Sequence, residues 1–403
     1  MKRWMRRFQR TSCKASEESQ NEYYENISAG LGVFQVVLYL SLFAFVVLSF
    51  FRNTNLITYQ NFYYFFKDLG ASAESVDTVA ADTVSYPTSD EQSFTLYRKG
   101  LAVAGNRSVT VFTATGRQTI SKSVTYKSPI AIGSGKYLLV YELGGTQYSL
   151  YNSYTQIYAG KSDFPIFGAT ISEEGMYALL SRSEDYTSVV SLYISHFSLL
   201  NRYNKNGYVM DLALNEKGTQ LAILTSEVQN GLFQTVLSLH EPKSADVGVS
   251  VSIGNSVALS CAYTASGGVS LLCGDRYCYV TQKGELREEY FFDGEEISCM
   301  ELASDGAVLC LRSDAISEKK HFIVFDKNGK MVYNESAEMH VTSVCREENS
   351  VFFMTRRGVT RLNLRDGSIS EHLCHTENIR ILAINEDEVL LCSPQKASYV
   401  FFN

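Results

Sequence analysis

The densest group of potential ligands in the chain is Glu371-His372-Leu373-Cys374-His375. Carboxylate, imidazole and thiolate are the groups that zinc takes as ligands. Their spacing works against a site. On a strand, alternate side chains face opposite ways, so His372 and Cys374 share a face that His375 leaves. The other histidines, His196, His240, His321 and His340, are scattered, without a second ligand at short spacing. An exposed outer strand is the expectation here. Asp293, Glu295, Glu296 and Asp305 could hold Ca²⁺, but no Asp-x-Asp-x-Asp-Gly loop occurs, which favours solvated turns. Asp163 and Asp185 fall in loops with no visible acid–base partner. There is no Gly-x-Ser-x-Gly elbow and no phosphate-binding glycine loop. The sequence therefore points to no catalytic residue, no metal ligand and no cofactor, and to a protein that is not an enzyme.

Cysteine is the remaining reactive residue. Cys261, Cys299 and Cys345 open one type of repeated segment; Cys273, Cys310 and Cys392 fall in the apolar run that follows. Recurrence at equivalent places suits a small residue packed between layers. The alternative is a disulfide across a hairpin, Cys261–Cys273 or Cys299–Cys310, in an oxidising compartment.

The elements that position these residues emerge as a weak internal repeat. Short polar turns recur at Arg98-Lys99-Gly100, Gly133-Ser134-Gly135, Glu173-Glu174-Gly175, Glu216-Lys217-Gly218, Ser266-Gly267-Gly268, Ser304-Asp305-Gly306, Glu347-Glu348-Asn349 and Glu386-Asp387. An apolar run follows each, among them LAVAG, YLLVY, YALLS and VSLLC. Several units carry a second turn, such as Thr115-Gly116, Lys283-Gly284, Asn328-Gly329 or Asp366-Gly367. Apolar segments separated by glycine-containing turns read as antiparallel hairpins. Four strands in about 40 residues make a β-propeller blade. The composition agrees, with 26 Tyr, 23 Phe and only five Pro. The last unit has three strands, ILAIN, VLLCS and SYVFFN, while Asp82–Tyr86 (DTVSY) precedes the first full unit. Pairing that segment with the last unit would close a ring and remove an exposed sheet edge. The expectation is an all-β fold, a propeller of about eight four-stranded blades over residues 82–403, sealed near Val84. Seven blades is the alternative, because the Arg98–Gly100 unit is the least regular.

On the phrases LASDGAVLCL, NEKGTQLAIL and ISEEGMYALL, the chain resembles the WD40-like and quinoprotein-like propeller superfamilies. Its layout also resembles a family of Gram-positive bacterial proteins with a basic tail, one membrane helix, an aromatic juxtamembrane segment (here ITYQNFYYFFKDL) and a propeller. The resemblance implies architecture and topology, not an activity. Trp4 is the only Trp, so the tryptophan-docking motifs of quinone-dependent dehydrogenases are missing. So are Trp-Asp strand ends and the Ser-x-Asp-x-Gly-x-Thr-Trp box of sialidases.

Ahead of the repeats lies Leu31–Phe51, LGVFQVVLYLSLFAFVVLSFF, in which 15 of 21 residues are Leu, Val or Phe and none is charged. A helix of that length spans about 31 Å, the thickness of a bilayer's hydrocarbon core. One transmembrane α-helix at 31–51 is expected. A cleaved signal peptide is the weaker reading, because the apolar stretch is long, starts late and precedes no small-x-small site. Residues 1–30 form a basic tail carrying Lys2, Arg3, Arg6, Arg7, Arg10 and Lys14, whereas only Arg52 and Lys67 follow the span closely. The positive-inside rule places the N-terminus in the cytoplasm and the large domain outside, at the cell membrane. Trp4 and Phe8, spaced i, i+4, could rest the tail on anionic lipid; a disordered topology signal is the plainer alternative. Residues 52–81 read as an aromatic juxtamembrane helix, lying on the bilayer or docked on the propeller, followed by a linker. With the tail at +2 and the whole chain at −7, the remainder carries −9, which disfavours nucleic acid as a partner. The functional expectation is a membrane-anchored extracellular module that binds or scaffolds a protein or an envelope polymer. A surface lyase or glycan hydrolase at the channel mouth is one alternative, and a sensor relaying to a partner protein is the other.

Overall fold

The computed structural model describes residues 31–32, 34–44, 83–229, 231–243, 248–313, 319–374 and 377–402. The chain divides into two units, residues 1–75 and 76–403. In the first, the described residues are helical and exposed. Among the described residues no helix is long and apolar enough to cross a membrane. The tail 1–30, residues 45–51 and the segment 52–81 lie outside the described residues.

In the second unit the described residues form eight four-stranded antiparallel sheets. Seven are simple meanders, with one sheet per stretch: 92–123, 129–161, 166–205, 208–254, 258–291, 296–338 and 341–373. These are blades 1 to 7. Blade 8 takes three strands from 380–401 and its outer strand, Thr83–Ser85, from the start of the domain. That strand pairs in register Thr83↔Ser398, Val84↔Ala397 and Ser85↔Lys396. The closure expected from Val84 is therefore present, and the blade count is eight rather than seven. Tyr86 then locks it. Its hydroxyl donates to the Ser393 carbonyl at 2.6 Å, and its ring lies 5.7 Å from Phe94 of blade 1.

The first strands of successive blades meet around the central axis. Second strands are buried along their length, as in Gly100–Gly105 and Val269–Cys273, because each blade is covered on both faces by its neighbours. That is why they read as continuous apolar runs rather than alternating ones. Outer strands such as Ile369–Leu373 are exposed throughout. The core is correspondingly divided. Eight apolar clusters each join two neighbouring blades, and the one containing Val84, Tyr86, Leu101, Phe112 and Leu390 joins the last blade to the first.

First strands are the inner edges of their sheets, so their outward N–H groups lack a ladder partner. Side chains of the preceding blade supply acceptors. Ser93 and Thr95 accept from the N–H groups of Ala131 and Gly133, and Thr170 accepts from that of Leu214. Asp211 accepts from the Cys261 N–H at 2.9 Å and from the Ser260 hydroxyl at 2.7 Å. Glu301 accepts from the Arg346 N–H at 2.6 Å. The inner ring is thus laced by polar side chains, which the sequence alone did not single out.

Candidate functional site

A meander sorts its connections. Turns between first and second strands, and between third and fourth, lie at one end of the ring, here the turn end. Turns between second and third strands, and the links between blades, lie at the other, the link end.

The turn end holds the recurrent polar turns. They are tied to one another: the Tyr97 hydroxyl donates to the Lys136 carbonyl, Lys136 pairs with Glu174, and the Glu173 N–H donates to the Glu216 carbonyl. Further round, the Ala265 N–H donates to the Ser304 carbonyl, the Glu348 N–H to Asp305, and Asn349 donates through its side chain and backbone to Glu386. Arg98 and Lys99 form a two-residue turn with φ of +51° and +59°, a conformation that glycine or asparagine usually takes. Burial raises the pKa of Glu347 and Glu388 on blades 7 and 8, and the Lys99 charge offsets part of that rise.

The link end is different. In blades 3 to 7 the first strand carries a β-bulge near its start, at the same place in each. The extra residues are Phe167, Met210, Leu259, Ser298 and Thr342, and all five are exposed. A bulge leaves one residue out of the ladder and re-aims its side chain, and bulges recur beside functional sites. Here the result is a row at the channel mouth, apolar on blades 3 to 5 and hydroxylated on blades 6 and 7. The Arg182 guanidinium stacks 4.9 Å from the Phe167 ring and 5.7 Å from that of Tyr208, which is 57% exposed. Beyond them the longest hairpin, Leu221–Gln229 with Leu232–His240, exposes Val228 and Leu232 near its tip. Aromatic, methionine and arginine side chains are the ones enriched at the centres of protein interfaces.

Two cavities open at the same end. One of about 240 Å³ gathers Asp163, Asp185, Tyr186, Tyr193 and Arg202 around blade 3. Asp163 and Asp185, loop residues without a visible partner in sequence, are thus brought together, and Asp163 pairs with Arg202 at 3.5 Å. The other, about 370 Å³, places Glu371 and His372 beside His340, Arg356 and Arg357 on blade 7. Two arginines there oppose a cation. Among the described residues, no three metal-ligating side chains assemble; His375 lies outside them. The strand Ile369–Leu373 is exposed, as its sequence suggests.

The acidic turns are less free than expected. Glu295 bonds His321 at 2.6 Å, Glu296 pairs with Arg312 at 3.0 Å, and Asp305 accepts from the Glu348 N–H, so each ties elements together instead of only facing water. Two channel carboxylates have raised pKa values. Burial raises Asp211, and it pushes Glu301 up to about 7 against the pull of the Arg346 N–H and of Arg380. Each accepts hydrogen bonds from the next blade, and the two lie two blades apart. All eight cysteines among the described residues are free thiols. Cys261 stands opposite Leu271 rather than Cys273, so that hairpin disulfide is ruled out by register.

A closed ring of eight meandering blades around a side-chain-lined channel is a β-propeller. The chain belongs to the DUF5711 family, a family of unknown function whose pattern covers residues 75–400. Among curated proteins none matches its sequence. Solved propellers are similar in fold. Chaetomium thermophilum Sqt1, bound to the N-terminus of the ribosomal protein L10, is 11% identical with a TM-score of 0.56, covering 79% of this chain and 99% of its own. The C-terminal WD40 domain of Sif2 is 8% identical at 0.55, covering 81% and 100%. BamB from Moraxella catarrhalis is 10% identical at 0.53, covering 80% and 99%.

Proposed function

We propose that this propeller is a protein-binding module held at the outer face of a bacterial cell membrane, engaging its partner through the link end of blades 3 to 5. The row Phe167, Met210 and Leu259, with Arg182 between two aromatic rings, carries the reading. It presents rigid anchors, an adaptable thioether and a cation with acceptor-seeking N–H groups on one uncovered surface. The Sqt1 propeller, which holds the N-terminus of another protein, illustrates that a propeller of this fold can clasp a peptide.

Membrane attachment rests on the sequence of Leu31–Phe51 and on the exposure of the helical residues within it. Phe34, Leu38, Leu42 and Phe43 all lie more than half exposed, a surface that lipid would cover. The basic tail supports a cytoplasmic N-terminus and a single-pass topology through the positive-inside rule. The layout of tail, span, aromatic segment and propeller supports a Gram-positive origin.

Proximity labelling of the intact protein in its native host tests this reading. A partner enriched with the wild type should be lost with an Arg182→Ala/Tyr208→Ala variant that keeps its thermal stability. Equal enrichment with both would contradict it.

A further inference from the structure

Blade 6 contains an arrangement that the binding reading does not use. Cys299 on the first strand stands directly opposite Cys310 on the second. Cys310 in turn stands opposite Phe322 on the third strand, and Lys320 lies two residues before Phe322, hence on the same face. The two thiols lie against each other: their mutual interaction and burial raise Cys299, the same interaction lowers Cys310, and the Lys320 charge lowers both as the smallest cause. Lys320 is itself only 8% exposed. A buried ammonium is best held beside groups that can carry negative charge, and the two neighbouring thiols are such groups.

We propose that Cys299 and Cys310, with Lys320 on the same face beside them, are a redox-active cysteine pair that closes a disulfide across blade 6. Residues directly opposite on antiparallel strands have Cα atoms about 4.5–5.5 Å apart. That falls inside the range of about 4.4–6.8 Å that a disulfide spans. The register is what makes the pair. The bulge at Ser298 brings Cys299 level with Cys310. In blade 5 the cysteines miss. Cys278 stands opposite Leu271, so Cys273 is its diagonal neighbour, and so is Cys261's. Diagonal Cα separations of about 7–8 Å exceed disulfide reach, although the Cys273 and Cys278 thiols touch.

The oxidant is an external low-molecular-weight disulfide. One thiolate of the pair attacks it, forming a mixed disulfide and releasing one thiolate. The second cysteine thiolate then displaces the other, forming the Cys299–Cys310 bond. Two electrons pass to the reagent, and the two protons of the cysteines leave on the two thiols released. The pair lies in the apolar layer between blades 6 and 7, so exchange awaits local opening and is slow.

The test equilibrates the full chain in glutathione buffers of increasing oxidised fraction, alkylates the remaining thiols and maps peptides by mass spectrometry without reduction. The expected result is one cross-linked peptide joining Cys299 to Cys310, with Cys261, Cys273, Cys278, Cys345 and Cys392 alkylated. Lys320→Met should slow closure roughly threefold to tenfold, since fewer thiolates are present at a given pH. Both cysteines alkylated at the most oxidising poise would overturn the proposal, as would preferential linkage of Cys273 to Cys278. An unchanged rate in Lys320→Met would remove the lysine from it. Because the readout is chemical and made on purified protein, it is independent of whether the link end binds a partner.

Discussion

One end of the ring is fastened turn to turn, whereas the opposite end leaves large apolar side chains uncovered. At the turn end, polar groups of one blade satisfy those of the next: Lys136 with Glu174, Glu348 with Asp305, Asn349 with Glu386. Its regularity comes from that structural task, since each tight turn must meet an equivalent turn 40 or so residues away. At the link end, five bulges lift single side chains out of the ladder, and their chemistry varies from Phe167 to Thr342. A repeat protein reveals its working surface where equivalent positions stop being equivalent. The turn end explains how the ring holds; the link end carries residues that the ring does not need.

Removing the shared foundation should give the largest effect. Val84→Asp would place a carboxylate in the layer between blades 8 and 1, where Val84 is 3% exposed, and should cost about 3–5 kcal/mol. Both ends should then become protease-sensitive together, as limited proteolysis would reveal; loss of one end alone would mean that the ring is not a single cooperative closure.

Next comes the link end itself. Arg182→Ala/Tyr208→Ala should weaken partner binding by about 2 kcal/mol or more, while thermal unfolding changes little. Affinity of the purified protein for the partner, measured beside its melting temperature, separates the two.

A smaller effect is expected from the channel. Glu301 has a folded pKa above that of the unfolded chain, so the folded state binds more protons between about 4.5 and 7. Its contribution to stability is therefore greatest below that window and falls as pH rises through it. Glu301→Gln keeps an acceptor for the Arg346 N–H and removes the titration. The variant should gain about 1–2 kcal/mol on wild type between pH 5 and 8, with partner affinity unaltered. A pH series of melting curves checks it, and an unchanged slope would show that Glu301 is solvated in the channel.

The smallest effect belongs to the turn end. Lys136→Ala should cost no more than about 1 kcal/mol, because the pair with Glu174 is exposed on both sides. It should leave partner binding as it was; a large loss would transfer the working surface to this end.

Much of the ring was legible in residue order. The turns and the buried second strands stand out because a blade covered on both faces needs an uninterrupted apolar run, and because most of the tight turns carry glycine. The closure by Val84 followed from a unit short of one strand. The mouth was not legible. First strands are half polar, half apolar, and a bulge adds one residue without changing that character, so Met210 and Leu259 read as ordinary strand residues. Arg182 lies in a loop, and its aromatic partners are 15 and 26 residues away in sequence. The cysteine registers were hidden for the same reason: the Cys261–Cys273 and Cys299–Cys310 hairpins look alike until the residues opposite each thiol are known.

The most direct test sets the two ends against each other in one experiment. A photo-crosslinking amino acid is placed at Tyr208 on the link end, or at Lys217 on the turn end, of the intact protein in its native host. A discrete protein adduct is expected from position 208 and none from 217. Adducts from 217 alone, or the same adduct from both positions, would contradict it.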